Sequence, residues 1–242
     1  MKFISKKTFL TLSVCCIAFI AKGQSGYDFS RFDAGFSVGF NKVYGDELPQ
    51  KTTPSINLNI TYNQTPFTNF VFEAQIGRMA GGDSLVSPGR QFTSNFYSYI
   101  LRGQLQFGEF IDYSGSKIMN GIKNFYVSAG VAYVVTNIKS ITRYSAQIPG
   151  LYTDGQNFSR EPFIPLRIGY EFKLFSKYQP IFKVDLGYGY NYVFGDNLDG
   201  YTNGKYKNHA YGKHNDGYSQ FSIGVKFAVG DNDGSYRKQI HY

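Results

Sequence analysis

The chain of 242 residues has no tryptophan, only three histidines and only two cysteines, and those two stand side by side at Cys15 and Cys16. Beyond position 16 there is no thiol, which excludes disulfides, thiolate nucleophiles and zinc–cysteine sites from the rest of the protein. His209, His214 and His241 all fall near the C-terminal end, outside any periodic segment. A hydrolase built on a histidine base needs that histidine on or beside a strand, with its partners in reach, so a non-enzymatic protein is expected. No apolar run reaches the roughly 20 residues of a membrane-crossing helix. Lys and Arg are scattered rather than gathered on one element, so no nucleic-acid partner is expected. Helical periodicity is nearly absent.

What is present begins with MKFISKKTFLTLSVCCIAFIAKGQ. Lys2, Lys6 and Lys7 precede an apolar stretch from Phe9 to Ala21, and Ala21-Lys22-Gly23 supplies small residues before Gln24. That pattern reads as an export signal over 1–23, cleaved to leave one domain over 24–242. A lipidated cysteine would have to follow Leu12-Ser13-Val14, where Val14 is too bulky, and the apolar stretch runs on past both cysteines. The signal holds four of the 25 basic residues and none of the 17 acidic ones, so the mature balance is 21 minus 17, or +4. An exported domain without disulfides must hold itself by a large packed or hydrogen-bonded structure.

Aromatic residues and glycine are abundant: 23 Phe, 21 Tyr and 27 Gly. The stretch SINLNITYN, Ser55 to Asn63, alternates without exception, with Ile56, Leu58, Ile60 and Tyr62 on one side and Ser55, Asn57, Asn59, Thr61 and Asn63 on the other. A two-residue period is a strand with one apolar and one polar face. The same alternation recurs and gives eight strands, near 33–44, 54–63, 69–79, 95–108, 124–136, 162–174, 180–194 and 218–229. Odd-numbered connections come out long, about 10, 15, 25 and 23 residues, while the second and sixth are about 5 to 6, an asymmetry expected of an outer-membrane barrel whose N-terminus lies inside. The fourth connection, 109–123, breaks the rule and is expected to hold a short helix over 117–122.

The facing of the strands follows from volume. An eight-stranded barrel has an interior just wide enough for side chains to fill it, and the apolar faces offer about 40 residues, many aromatic, which would not fit. The opposite faces carry small residues, among them Gly35, Gly39, Gly77, Gly130, Gly169, Gly187, Gly189 and Gly224. They also carry Glu73, Arg102, Arg167, Glu171, Lys173, Lys183, Asp185 and Lys226. Buried charges are costly unless paired, so these eight are expected to pair across a narrow lumen while the apolar faces meet lipid. Tyr62, Phe107, Phe125, Phe172, Tyr192 and Phe194 fall near strand ends, where aromatic belts belong. The fold class is therefore all-β: an eight-stranded antiparallel transmembrane β-barrel in an up-and-down meander.

With the signal, the eight amphipathic strands and the long odd-numbered loops in place, the chain resembles the small outer-membrane β-barrels of Gram-negative bacteria, the OmpA-transmembrane and OmpX-like class. The resemblance covers residues 27 to 230. GDNLDGY (Gly195 to Tyr201) and NDGYSQFSIGVKF (Asn215 to Phe227) look like the last hairpin of such barrels. The tail 230–242 is a departure, since the family often ends on the aromatic that closes its last strand, and it is far too short for the cell-wall-binding domain of full-length relatives. The resemblance implies an outer-membrane location and no cofactor.

Two functions stay open: a non-enzymatic envelope scaffold or surface interaction protein with a lumen closed by paired charges, and a narrow pore for small solutes. The seventh loop mixes bases and aromatics, Tyr201, Lys205, Tyr206, Lys207, His209, Tyr211 and Lys213, as an outer contact surface. The expected partners are outer-membrane lipid, lipopolysaccharide and envelope proteins. Asp196, Asp199, Asp216, Asp231 and Asp233 have the oxygen ligands calcium takes but no regular ligand spacing, so they read as turn residues and no metal site is assigned.

Overall fold

The computed structural model describes residues 26–45, 49–85, 89–145, 147–176, 179–201, 204–206, 209–211, 216–230 and 234–237. The expected signal, 1–23, lies outside the described residues. The strands are β1 (Gly26–Phe29), β2 (Phe32–Tyr44), β3 (Thr52–Asn63), β4 (Thr68–Gly82), β5 (Gln91–Gln106), β6 (Phe125–Ile141), β7 (Phe158–Ser176), β8 (Gln179–Val193), β9 (Gly204–Tyr206), β10 (His209–Tyr211), β11 (Gly217–Val229) and β12 (Gly234–Arg237). One short helix, α1 (Lys117–Ile122), lies where the sequence placed it.

Strands β2 to β8 and β11 form a closed antiparallel barrel in up-and-down order, each paired with its neighbour in the chain. β11 closes it on β2, from Gly217 opposite Tyr44 to Val229 opposite Phe32. Closure leaves no unpaired edge, so the backbone of the wall satisfies itself. The alternation in SINLNITYN is visible in the burial: Ile56, Leu58 and Ile60 are 62%, 59% and 57% exposed on the outer face, and Asn57 and Asn59 are 0% and 7% exposed in the lumen.

The strands run further than their apolar pattern. β5 begins at Gln91 rather than near 95, and β6 ends at Ile141 rather than near 136. The first, third and fifth connections shrink accordingly, to 45–51, 83–90 and 142–157, while the seventh, 194–216, keeps its expected length. Pairing continues because the ladder needs only backbone groups, while the outer face along it changes character. On β5 the outward residues go from Leu101, Tyr99 and Tyr97 to Asn95, Thr93 and Gln91, as the inward ones go from Arg102 to Ile100, Phe96 and Phe92. The polarity of the wall reverses there, from apolar outside to apolar inside.

The barrel thus has two ends. At one, which we call the rim, Val43, Met79, Phe96, Val134, Phe163 and Tyr218 pack into a core inside the wall, with Leu198 and Tyr201 from the seventh connection. At the other, the base, the connections are 64–67, 107–124 and 177–178. There β1 and β12 pair as a two-stranded ribbon, Gly26 opposite Arg237 to Phe29 opposite Gly234. The segments that precede and follow the barrel strands meet beneath it. Phe29, Phe67 and Tyr113 are buried together there with Tyr236 against them, and the Phe67 ring lies edge-on to Tyr113 at 5.6 Å and to Tyr236 at 5.8 Å.

Candidate functional site

In the base half of the lumen, all eight charges named from the sequence are buried inside the wall. Inward positions of five different strands place them: Glu73 on β4, Arg102 on β5, Arg167, Glu171 and Lys173 on β7, Lys183 and Asp185 on β8, and Lys226 on β11. Arg102 Nη2 lies 2.8 Å from Glu73 Oε2. Arg167 Nη2 lies 2.5 Å from Asp185 Oδ1, and its Nε donates at 2.8 Å to Tyr126 Oη, which in turn donates to Asp185 at 3.0 Å. Lys226 bridges Glu171 and Asp185, the latter at 3.2 Å. Gln104 and Gln106 donate their amides to the two oxygens of Glu171 at 3.2 and 2.6 Å.

Lys183 pairs with an acid that sequence reasoning missed, Asp33, at 2.5 Å, and Asn63 donates to the same Asp33 oxygen at 2.8 Å. Asp33 sits second in β2, between the outward Phe32 and Ala34, so its parity alone turned it inward. Its addition makes four acids against five bases. Lys173 hydrogen-bonds to neutral groups, the Pro66 carbonyl at 2.6 Å and Gln106 Oε1 at 2.7 Å, with its ammonium 4.7 Å from the centre of the Phe67 ring. Lumen glycines make room for the long cations: a β-carbon on Gly187 would collide with the Arg167 guanidinium, and one on Gly130 with the backbone at Leu101 and Arg102.

Above the ions lies a layer of amides and hydroxyls. Gln75 donates to Glu73 at 2.6 Å and to Gln220 at 3.2 Å, Gln220 donates to Asn41 at 2.7 Å, and Asn57 donates to Ser37 at 3.0 Å. The cavities flanking Glu73, Arg102 and Arg167 are each about 10 Å³. That is room for about one water molecule. The apolar core at the rim closes the stack. Sequence reasoning sealed the lumen with charges alone; the rim core was missed because Phe92, Phe96, Ile100, Val134 and Phe163 stand on the inward parity among polar residues.

The seventh loop departs from its expected role at Tyr201. Rather than offering a contact surface, Tyr201 is fully buried: its hydroxyl donates to the carbonyls of Gln91 and Thr142, both at 3.0 Å, and Arg90 lies over its ring at 4.8 Å. Lys205 and Tyr206 belong to β9, and His209 and Tyr211 to β10, which pair as a hairpin with His209 opposite Tyr206. Lys207, Lys213 and His214 lie outside the described residues, as do His241, Asp231 and Asp233. Asp199 serves a local turn, accepting from the Tyr201 amide at 2.9 Å, and Asp216 ties the end of the connection back to its start, accepting from the Leu198 amide at 2.8 Å. Among the described residues, no three potential metal ligands stand together.

At the base, Lys123 is buried with its ammonium 4.6 Å from the centre of the Tyr113 ring. Burial pushes that ammonium down to about 8. Burial, with Tyr236, Asp112 and Glu109 nearby, pushes the Tyr113 phenol up to about 12.

No protein-family model matches the chain, and no curated protein matches it significantly. Several solved structures resemble it. Neisserial surface protein A is 14% identical over 83% of this chain and 98% of its own, with a TM-score of 0.47. Ail, the attachment invasion locus protein of Yersinia pestis, is 10% identical over 82% and 97%, with a TM-score of 0.45. The outer membrane enzyme PagL is 11% identical over 81% and 99%, with a TM-score of 0.33. At such identities and TM-scores the likeness carries no argument, and the closed eight-stranded meander stands on its own ladders.

Proposed function

We propose that the protein is an integral outer-membrane barrel, exported by its N-terminal signal, that acts as a non-enzymatic envelope scaffold or surface interaction protein. One observation carries this: the wall is apolar outside and ionic inside over its base half, and in a water-soluble barrel that order would be inverted. Lipid disfavours unpaired backbone, and closure removes the open edges of the sheet. Where the outer face turns polar, Lys42, Arg78, Lys139 and Arg160 stand outward, cations suited to the phosphates of lipopolysaccharide. The rim loops remain for envelope protein partners.

Cavities of about 10 Å³ beneath an apolar rim core favour a closed lumen over a pore. The test is conductance across a planar bilayer of the purified mature chain, its insertion verified by heat-dependent mobility, with Arg102→Ala and Glu73→Ala alongside. Silence from all three is expected, because the rim core seals the lumen independently of that ion pair. Reproducible steps that change with either substitution would make the protein a pore.

A further inference from the structure

Helix α1 reverses the rule for helices on a water-facing surface. Such a helix buries its apolar stripe and shows water its polar one. α1 and the residue that follows it bury Asn120 and Lys123, at 5% and 4% exposure, and leave Ile118 at 74% and Met119 at 38%. This is the same inside-out order as the barrel wall.

Its position explains the reversal. Tyr170, on the outer face of β7, donates its hydroxyl to the carbonyl of Gly121 at 2.7 Å, which holds α1 against the outside of the wall. The Tyr170 ring meets Phe125, the first residue of β6, edge-on at 4.7 Å, and lies tilted against Phe172 at 4.5 Å. Ser116 caps the helix by accepting from the Met119 amide, and Gly108 donates to the Lys123 carbonyl at 2.7 Å, pinning both ends of the connection. Phe107 and Phe110, 42% and 69% exposed, extend the apolar belt of β5 and β6 toward Ile118. Directly above Phe125, an open apolar groove of about 410 Å³ runs along Leu105, Val127 and Ile168.

We propose that the connection 107–124 is an interfacial anchor, placing Phe110, Ile118 and Met119 at the boundary between the headgroups and acyl chains of the phospholipid leaflet at the barrel base. The proposal rests on the lipid-facing reading of the wall. A phospholipid is the occupant because the exposed apolar face is continuous with the belt, rather than set apart from it, and because exposed Lys117 stands at the start of α1 where phosphates would lie. The length of this connection, which a tight turn would not need, is what supplies the anchor.

The chain has no tryptophan, so one introduced indole reports its own surroundings. The experiment places single tryptophans, Ile118→Trp, Leu58→Trp and Leu85→Trp, in the full mature chain. Each variant is folded into phosphatidylcholine vesicles whose acyl chains are brominated either near the carbonyls or near their ends. Leu58 lies on the wall, and Leu85, 82% exposed, lies in a rim loop. The expected result is blue-shifted emission from Ile118→Trp relative to Leu85→Trp, with quenching stronger by the bromines near the carbonyls, while Leu58→Trp is quenched by the deeper ones. If Leu58→Trp is quenched and Ile118→Trp emits and quenches like Leu85→Trp, the anchor is overturned and the barrel reading stands. If Leu58→Trp is unquenched as well, both fall. Should Ile118→Trp not fold, Phe110→Trp takes its place with the same expectation.

Discussion

Arg102 and Glu73, 4% and 1% exposed at their side chains, are stable in the lumen only as a pair. Glu73→Ala leaves the guanidinium buried without its carboxylate, a loss of about 3 to 5 kcal/mol. Urea unfolding should show it, and Glu73→Ala with Arg102→Ala together should cost less than the sum of the two singles. The two faces of β3 give a second contrast: Leu58→Arg should destabilise by about 2 to 4 kcal/mol near the bilayer midplane, whereas Asn59→Ser should be mild. Equal losses in vesicle-based unfolding would contradict the facing. At this scale the sequence was legible wherever parity decided the outcome, as for the inward Arg167, Glu171 and Lys226. Asp33 escaped because it stands at a strand end, and Tyr201 because nothing local marks a loop tyrosine that folds back into the rim core.

The strands are legible as elements in the sequence but run further at the rim than their apolar alternation, because the apolar outer face ends before the ladder does. β5 shows why: past Tyr97 its outward residues are Asn95, Thr93 and Gln91, which give no apolar alternation although pairing with β4 and β6 continues. α1 was legible in its bounds, its inverted faces were not, and the ribbon of β1 and β12 joins segments too far apart in the chain for any local pattern to link. The base element makes a pH prediction through Lys123. Its ammonium has an ordinary value of 10.5 and is held near 8 in the folded protein. Below pH 8 both states carry the proton and the folded state bears the cost of a buried charge. Between 8 and 10.5 the unfolded chain binds a proton the folded one has released, so stability rises with pH. Lys123→Met should therefore be more stable than the unsubstituted protein at pH 7 and lose that advantage by pH 10 in urea unfolding. An advantage unchanged across that interval would show that Lys123 titrates normally.

For the molecule as a whole, two opposite solutions to one volume problem are stacked in a single barrel. Its base half puts ions inside and hydrocarbon outside, and its rim puts hydrocarbon inside and polar groups outside. On the proposed membrane-spanning reading, the reversal marks where lipid ends and water begins, and the rim stands as a filled collar beyond the membrane. No cysteine occurs after Cys16, so a mature chain cleaved as proposed can carry spin labels one at a time without background. The most direct measurement is the collision of such labels with oxygen and with a water-soluble nickel complex, along the outward positions of β5 at Gln91, Thr93, Asn95, Tyr97, Tyr99, Leu101 and Gly103, in bilayers. Oxygen should dominate from Tyr97 through Gly103 and the nickel complex from Asn95 back to Gln91, with the crossover between Asn95 and Tyr97. Nickel dominance at all seven positions would contradict the lipid-facing wall.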